Sequence, residues 1–219
     1  MIKACIFDMD GTVLNTIDSI SYFANSALKK FGLAEIETEV YKKIVGNGAN
    51  VLVHRMLNTI GADDSLYDEL LREYNTTYDN DFLYLAKPYD GIMEMLKALK
   101  EKGIMLAILS NKPHNTTVKI SEAMFSDVPI DLCFGGREDV ALKPDPAGVF
   151  EIMKELNVKE EECLYIGDTA TDMETGKRAN LYTIGVLWGF RDYRELKESG
   201  ADMIIEHPSE IVDIVKNMN

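Results

Sequence analysis

The chain has 219 residues, of which 46% are hydrophobic and 27% are charged, and its formal net charge is −14. This length is enough for one sizeable domain and a smaller one around a buried core. The acidic balance argues against nucleic acid and against an anionic membrane surface as partners, because both require a basic footprint. An anionic substrate therefore needs positive charge supplied locally.

The cysteines and the apolar runs place the chain among cytoplasmic globular proteins. Cys5, Cys133 and Cys163 are odd in number and lie in apolar, strand-like runs, which indicates buried thiols rather than a disulfide framework or a zinc site. No apolar run approaches the length of a membrane span, and a strand that starts at about residue 2 leaves no room for a signal peptide. We expect a cytoplasmic protein, either monomer or homodimer.

The first predicted element is an apolar strand that starts near Ala4 and ends in Asp8 and Asp10, followed by Gly11 and Thr12. In a parallel sheet, ligands collect beyond the carboxyl ends of the strands. Two carboxylates this close repel each other and need a cation, a shared proton or solvent. A hard divalent metal with oxygen ligands, typically Mg2+, answers that need. A plain polar junction between strand and loop is the alternative.

A helical insertion follows. Apolar residues at helical spacing, interrupted by glycines, predict helices over residues 15–31, 37–45, 49–60 and 65–78, and no strand between residues 14 and 87. Asn15 either caps the first of these helices or belongs to the site. We predict that residues 15–86 form a small all-helical cap domain, and that residues 1–14 and 87–219 form an α/β core domain.

From residue 87 the periodicity alternates between helix and strand. Helices are predicted over residues 89–102, 115–124, 146–156 and 173–179, and strands over residues 104–109, 130–134, 163–166, 182–187 and 203–205. This alternation is typical of a doubly wound parallel sheet, so the predicted fold class is α/β.

Polar residues follow several of these strands. The second strand ends in Ser110 and Asn111, Lys143 follows the third, and the fourth is followed by Asp168 and Asp172. Singly, these residues read as a turn, a surface lysine and helix-capping acids. In a parallel sheet all of them face one crevice together with the acids of the first strand. The sequence therefore predicts one shared site.

These stretches, in this order and with a helical insertion after the first, resemble the haloacid dehalogenase superfamily of phosphatases. Its phosphoglycolate phosphatase-like members are similar over four segments: Asp8-Met9-Asp10-Gly11-Thr12-Val13, Val45-Gly46-Asn47-Gly48-Ala49, Ser110-Asn111-Lys112-Pro113 and Lys143-Pro144-Asp145-Pro146. Asn15 departs from the pattern, since many members carry Asp there, which affects a cap contact or the polarity of the hinge.

The resemblance implies a HAD-like Rossmannoid core and a Mg2+-dependent phosphomonoesterase that works through an aspartyl phosphate. Asp8 is then the nucleophile, and Asp10 protonates the leaving group and later activates water. Mg2+ is expected on Asp8, on the backbone carbonyl of Asp10 and on Asp168. Asp172 is expected to hold metal-bound water or to orient Lys143.

The remaining expected site residues bind the phosphoryl group or the leaving group. Ser110, Asn111, Lys143 and Thr12 are expected around the phosphoryl group. The loop Gly46-Asn47-Gly48 is the candidate substrate contact of the insertion, with a simple turn between helices as the alternative. Lys112 and Arg137 are candidates for attracting an anion.

The expected substrate is a small phosphorylated metabolite, as for phosphoglycolate phosphatase. A phosphomutase or phosphotransferase of the same fold, like beta-phosphoglucomutase, and a pyrophosphatase are alternative functions. A non-catalytic binding module would require the loss of Asp8, Asp10, Lys143 or Asp168, and all four are present.

Overall fold

Eight strands organise residues 1–219, all of which the computed structural model describes. In chain order they are β1 (Ala4–Phe7), β2 (Leu14–Asn15), β3 (Lys87–Pro88), β4 (Met105–Pro113), β5 (Leu132–Gly136), β6 (Cys163–Gly167), β7 (Tyr182–Val186) and β8 (Met203–Ile205). All except β2 and β3 form one sheet in the order β5-β4-β1-β6-β7-β8, and every pair in it is parallel. The predicted α/β fold with a parallel sheet is confirmed.

Nine α-helices lie between these strands along the chain, and a tenth follows β8. They are α1 (Ile17–Lys30), α2 (Thr38–Ile44), α3 (Ala49–Ile60), α4 (Tyr67–Asn80), α5 (Ile92–Glu101), α6 (His114–Met124), α7 (Ala147–Glu155), α8 (Ala170–Arg178), α9 (Tyr193–Glu198) and α10 (Ser209–Met218). None of them has both the length and the apolar character needed to cross a bilayer.

The sheet buries both of its faces, as strand β1 illustrates. Cys5 and Phe7 belong to a cluster of 40 buried residues, whereas Ala4 and Ile6 belong to a second cluster of 12. Alternate side chains of a strand point to opposite faces of the sheet. A strand buried on both faces is a continuous apolar run in the sequence. This is why the sequence of β1 predicts a strand of a covered parallel sheet.

Helices α1 to α4 lie within residues 15–86, the helical insertion. Their buried side chains, Phe23 and Met56 among them, belong to the same cluster of 40 residues that covers one face of the sheet. The insertion is therefore packed against the sheet through a continuous apolar contact. Its status as a separate cap domain, with residues 1–14 and 87–219 as the core domain, stays a prediction.

The two short strands were not predicted. In an antiparallel pair, Leu14 lies opposite Pro88 and Asn15 opposite Lys87, so the chain leaves for the insertion and returns from it side by side. Two-residue strands carry no periodicity, and their pairing joins residues more than 70 positions apart. Asn15 therefore lies in β2, and Thr16 takes the N-cap position of α1.

Two helices after β7 were also missed, and one began earlier than predicted. Helix α9 buries only Leu196, so it carries no apolar stripe, whereas α10 packs Ile211 and Val215 inward at helical spacing. Helix α8 begins at Ala170 rather than at residue 173. Its first turn is held by a capping box in which Thr169 and Asp172 bond reciprocally.

Candidate active site

The carboxyl ends of β1, β4 and β6 bring the predicted site residues together. Strands β4 and β6 are the two neighbours of β1 in the sheet. Asp8 follows β1, Ser110 lies near the end of β4, and Asp168 follows β6. Because the strands are parallel, these ends share one edge of the sheet, and Asp8, Asp10, Ser110, Asn111 and Lys143 line one cavity there.

The cavity lies between this edge and the helical insertion, and holds about 710 Å³ including its opening to solvent. The insertion contributes glycines Gly46 and Gly48, polar Asn75 and Asp79, and an apolar wall formed by Ile20, Val45, Ala49, Leu52, Tyr74 and Tyr78. The insertion therefore forms the side of the cavity opposite Asp8, Ser110 and Lys143.

Lys143 is a buried ammonium between two carboxylates. Its Nζ lies 2.7 Å from Oδ1 of Asp8 and 2.7 Å from Oδ1 of Asp172. Burial alone would lower the pKa of Lys143, but the charges of Asp172 and Asp8 outweigh it and hold that pKa well above its ordinary value. Lys143 is therefore a permanent positive charge beside Asp8.

Asn111 fixes the backbone that carries Lys143. Its Oδ1 accepts from the backbone N–H of Lys143 at 2.8 Å, and its Nδ2 donates to the Lys143 carbonyl at 3.0 Å. Two bonds from one amide side chain set both the position and the orientation of that residue. The side chain of Asn111 thus positions Lys143, which the sequence did not predict.

Three buried carboxylates, from Asp8, Asp168 and Asp172, come within 4.8 Å of one another. Burial, and then the charge of Asp172, raises the pKa of Asp8 to about 7 against the opposing effect of Lys143. Burial and the charges of Asp172 and Asp8 hold the pKa of Asp168 well above its ordinary range. One ammonium, that of Lys143, does not compensate three carboxylates, so the cluster either keeps protons or takes up a divalent cation with oxygen ligands.

Asp168 is held where larger neighbours would not fit. Its Oδ1 accepts the hydroxyl of Thr12 at 2.9 Å, and its Oδ2 accepts the backbone N–H of Phe190 at 2.8 Å. A Cβ on Gly11, whose φ is +88°, would lie 2.2 Å from Asp168 Oδ2, and one on Gly189 would lie 2.4 Å from Asp168 Cβ. Glycine at both positions leaves room for this carboxylate.

Asp172 is fully engaged by protein groups. Its Oδ1 contacts Lys143, and its Oδ2 accepts from the backbone N–H and the hydroxyl of Thr169 at 3.1 and 2.6 Å. Asp172 therefore caps the first turn of α8 and contacts Lys143 at the same time, and its role as a site residue stays a prediction.

Asp10 is held by a different cation. Its Oδ2 lies 3.1 Å from Nζ of Lys112, whereas its Oδ1 is buried and has no hydrogen-bond partner. Burial would lower the pKa of Lys112, but Asp10, Tyr78 and Tyr74 raise it above its ordinary value. Asp10 and Asp8 thus face the cavity with separate ammonium partners.

Two predicted substrate contacts have other partners in the structure. The hydroxyl of Thr12 is fully buried and donates to Asp168 at 2.9 Å, and its predicted contact with substrate stays a prediction. The side chain of Asn47 accepts from Arg55 at 2.8 Å and donates to Thr171 of α8 at 3.2 Å, so it connects the insertion to α8, while Gly46 and Gly48 line the cavity.

Other residues also join the insertion to the sheet edge. Arg191 donates to the carbonyl of Val45 at 2.9 Å, and Thr116 donates to Asp79 at 2.7 Å. Arg137, a candidate for anion attraction, instead pairs with Glu151 outside the cavity. Phe190, whose backbone N–H donates to Asp168, and Gly189, which leaves room for that carboxylate, were not predicted. A glycine shortly after the end of β7 is the sequence signal that indicates them.

Comparison with known proteins identifies relatives along the whole chain. The family model described as haloacid dehalogenase-like hydrolase matches residues 5–186. A phosphoglycolate phosphatase of Aquifex aeolicus is 31% identical over 215 residues, covering 98% of this chain and 97% of that protein. One of Colwellia psychrerythraea is 30% identical over 219 residues, covering 98% and 97%.

Solved structures with a similar fold cover nearly the whole chain. A candidate phosphoglycolate phosphatase from Lactobacillus delbrueckii subsp. bulgaricus superposes with a TM-score of 0.90 at 29% identity, over 97% of this chain and 98% of that one. A candidate beta-phosphoglucomutase from Thermotoga maritima has a TM-score of 0.74 at 23% identity over 99% of both chains, a likeness of fold alone.

Proposed function

Because this chain belongs to the haloacid dehalogenase-like hydrolase family and is a phosphoric monoester hydrolase, we propose that it hydrolyses a small phosphorylated metabolite through a phosphoryl group carried on Asp8. The observation that carries this proposal is the pairing of Asp8 with Lys143 at the sheet edge, with Asp10 beside it in the same cavity. A buried carboxylate with a fixed cation and a second acid nearby suits covalent phosphoryl transfer.

Asp8 acts as the nucleophile. Lys143 holds its Oδ1, which leaves Oδ2 as the oxygen that attacks phosphorus. The attack forms the bond from Oδ2 to phosphorus and breaks the bond from phosphorus to the ester oxygen. Splitting a slow phosphate ester hydrolysis into two steps through an acyl phosphate lowers each barrier.

Asp10 acts as the general acid and then the general base. Its buried, unpartnered Oδ1 is available to give a proton to the departing ester oxygen and later to accept one from the water that attacks the aspartyl phosphate. This water releases inorganic phosphate and restores the Asp8 carboxylate.

Lys143 and Ser110 stabilise the transferring group. Lys143 offers positive charge beside the attacking oxygen, and its position depends on Asn111 and Asp172. The Ser110 oxygen accepts from the backbone N–H of Lys112 at 3.2 Å, which leaves its own O–H to donate toward a phosphoryl oxygen.

The acid cluster fits Mg2+. Asp8 and Asp168, with the backbone carbonyl of Asp10, would hold the ion, and Asp172 would act through Lys143 or through metal-bound water. When bound, Mg2+ would offset the negative charges of the carboxylates and of the phosphoryl group. Thr12 and the Phe190 backbone keep Asp168 oriented for this role.

Substrate choice belongs to the insertion, because the sheet edge recognises only a phosphoryl group. The glycine loop and the apolar wall around Leu52 and Tyr74 leave space for a small leaving group. Relatives that cover nearly the whole chain are phosphoglycolate phosphatases, which makes phosphoglycolate the first substrate to test. The absence of nucleic acid and membrane partners, the choice between monomer and homodimer, and the cytoplasmic location stay predictions.

A phosphate-release screen with Mg2+ tests the function. The panel contains phosphoglycolate, sugar phosphates, nucleotides and pyrophosphate, and each is assayed with the wild type and with Asp8→Asn. We expect phosphate from a small monoester and none from the variant, because an amide is a poor nucleophile. Retention of about a tenth of wild-type activity in Asp8→Asn would remove Asp8 from the nucleophile role.

The same screen separates the alternatives. A phosphomutase would return the phosphoryl group to a sugar and release little inorganic phosphate. A pyrophosphatase would favour pyrophosphate over every monoester. A panel on which no phosphate is released from any ester would refute the proposed function.

A further inference from the structure

We propose, on the basis of the function proposed above, that Lys112 is a positioning residue: it holds the acid–base carboxylate of Asp10 in place and ties that placement to Tyr78 of the helical insertion. Lys112 follows Ser110 by two residues at the end of β4, the strand next to β1. Its side chain is 8% exposed, which is unusual for a lysine, and its Nζ lies 3.1 Å from Asp10 Oδ2.

The same ammonium meets the insertion. Lys112 Nζ donates to the hydroxyl of Tyr78 at 2.9 Å and lies 4.3 Å from the centre of the Tyr78 ring. Tyr78 belongs to α4 and is 4% exposed. A hydrogen bond and a cation–π contact from one residue fix the ammonium in two directions. The contact to Asp10 therefore depends on α4 lying where it is.

Only one of the two carboxylate oxygens of Asp10 has a partner in the protein. Its Oδ2 is occupied by Lys112, whereas its Oδ1 is buried without any partner. A buried acceptor without a hydrogen bond costs free energy, so this oxygen marks a place that a ligand group completes. Lys112 leaves free the oxygen that exchanges a proton with the leaving group and prevents the carboxylate from rotating away.

Two other roles are open to a buried lysine at this position, and they predict different kinetics. Lys112 could contact an anionic group of the substrate directly, in which case only substrates that carry that group depend on it. Lys112 could also serve stability alone, in which case its removal affects all substrates equally. A positioning role acts through Asp10, so it matters where the leaving group needs a proton.

The test compares kcat/KM for three substrates: phosphoglycolate, ethyl phosphate, which lacks the carboxylate, and p-nitrophenyl phosphate, whose leaving group needs no proton. This ratio reports steps up to the departure of the leaving group, so hydrolysis of the aspartyl phosphate does not enter. The variants are Lys112→Met, Tyr78→Phe and, as matched control, Lys119→Met, an exposed lysine of α6.

We expect Lys112→Met to lower kcat/KM at least about tenfold for both alkyl phosphates and less than about threefold for p-nitrophenyl phosphate. Tyr78→Phe should also lower kcat/KM more for the alkyl phosphates than for p-nitrophenyl phosphate, but by a smaller factor. This variant provides the test if Lys112→Met does not fold. Lys119→Met should match the wild type on all three substrates. In an Asp10→Asn background, Lys112→Met should cause no further loss with ethyl phosphate, because both changes act through one group.

Equal falls on all three substrates would overturn the positioning role, and so would an unchanged kcat/KM. A fall confined to phosphoglycolate would assign Lys112 to the substrate carboxylate instead. In each of these cases the wild type still releases phosphate, so the proposed function stands. A wild type that releases no phosphate from any of the three substrates would overturn both.

Discussion

Replacing Lys143 with methionine tests the electrostatics of the site most directly. The side chain is 3% exposed, and its Nζ lies 2.7 Å from a carboxylate oxygen of both Asp8 and Asp172. Methionine keeps much of the length and removes the charge. In the variant, two buried carboxylates lose the ammonium that compensates them, and Asp168 stands within the same cluster.

The magnitude follows from these distances. At 2.7 Å and an effective dielectric constant of about 20, each pair attracts by about 6 kcal/mol, and the cost of desolvating the charges offsets most of that. Removing one partner of a buried ion pair typically costs about 3 to 5 kcal/mol. For a chain of this size that corresponds to a melting temperature lower by roughly 10 °C.

The loss of unfolding free energy in Lys143→Met should be larger at higher pH. Burial and Asp172 raise the pKa of Asp8 to about 7 in the wild type, against the lowering effect of Lys143. Removing Lys143 raises that pKa further, so Asp8 is largely protonated at pH 5 in both proteins, whereas at pH 8 the wild type holds an ion pair that the variant has lost. We expect the loss of unfolding free energy to be larger at pH 8 than at pH 5, by about 1 to 2 kcal/mol.

The assay is urea unfolding followed by circular dichroism in EDTA at both pH values. Lys154→Met is the matched control, since Lys154 is exposed on α7 and forms no salt bridge. A loss below about 1 kcal/mol at pH 8, or an equal loss at both pH values, would refute the account of Lys143 as the compensating charge. In phosphate release, the same variant should lose at least about a hundredfold in kcat.

Three further predictions concern the metal, the pH and the glycine loop. Mg2+ at about a hundred times its Kd should stabilise the protein by about 2.7 kcal/mol relative to the protein in EDTA, which raises the melting temperature by roughly 5 to 10 °C. EDTA should also stop phosphate release. Identical melting curves with Mg2+ and with EDTA would contradict the metal site. In EDTA the unfolding free energy of the wild type should fall as the pH rises from about 5 to about 8, because folded Asp8, with its pKa raised to about 7, keeps a proton that the unfolded carboxyl has already released. Asp8→Asn should show a shallower slope, and an equal slope would exclude Asp8 as the source. Asn47→Ala removes the bonds to Arg55 and Thr171, so it should change the relative kcat/KM values of the phosphate esters by about fivefold. The control Asn58→Ala, on the exposed side of α3, should leave these relative values unchanged. An unchanged substrate preference in Asn47→Ala would exclude the loop from substrate choice.

The strand pattern and the polar residues at strand ends were readable from sequence because both are local. A strand buried on two faces, such as β1, must be a continuous apolar run, and parallel strands must present their carboxyl ends at one edge. The fold class and the gathering of Asp8, Ser110, Lys143 and Asp168 followed from these two rules. The helical character of residues 15–86 followed from apolar spacing alone.

Tertiary structure decided which partner each polar side chain takes. Thr12 bonds Asp168 across 156 residues, Asn111 holds the backbone of Lys143, and Lys112 meets both Asp10 and Tyr78. A side chain with donors and acceptors is compatible with many partners, so its sequence position does not select among them. Packing of the insertion onto the sheet makes that selection, because only the folded chain fixes which buried groups lie within bonding distance.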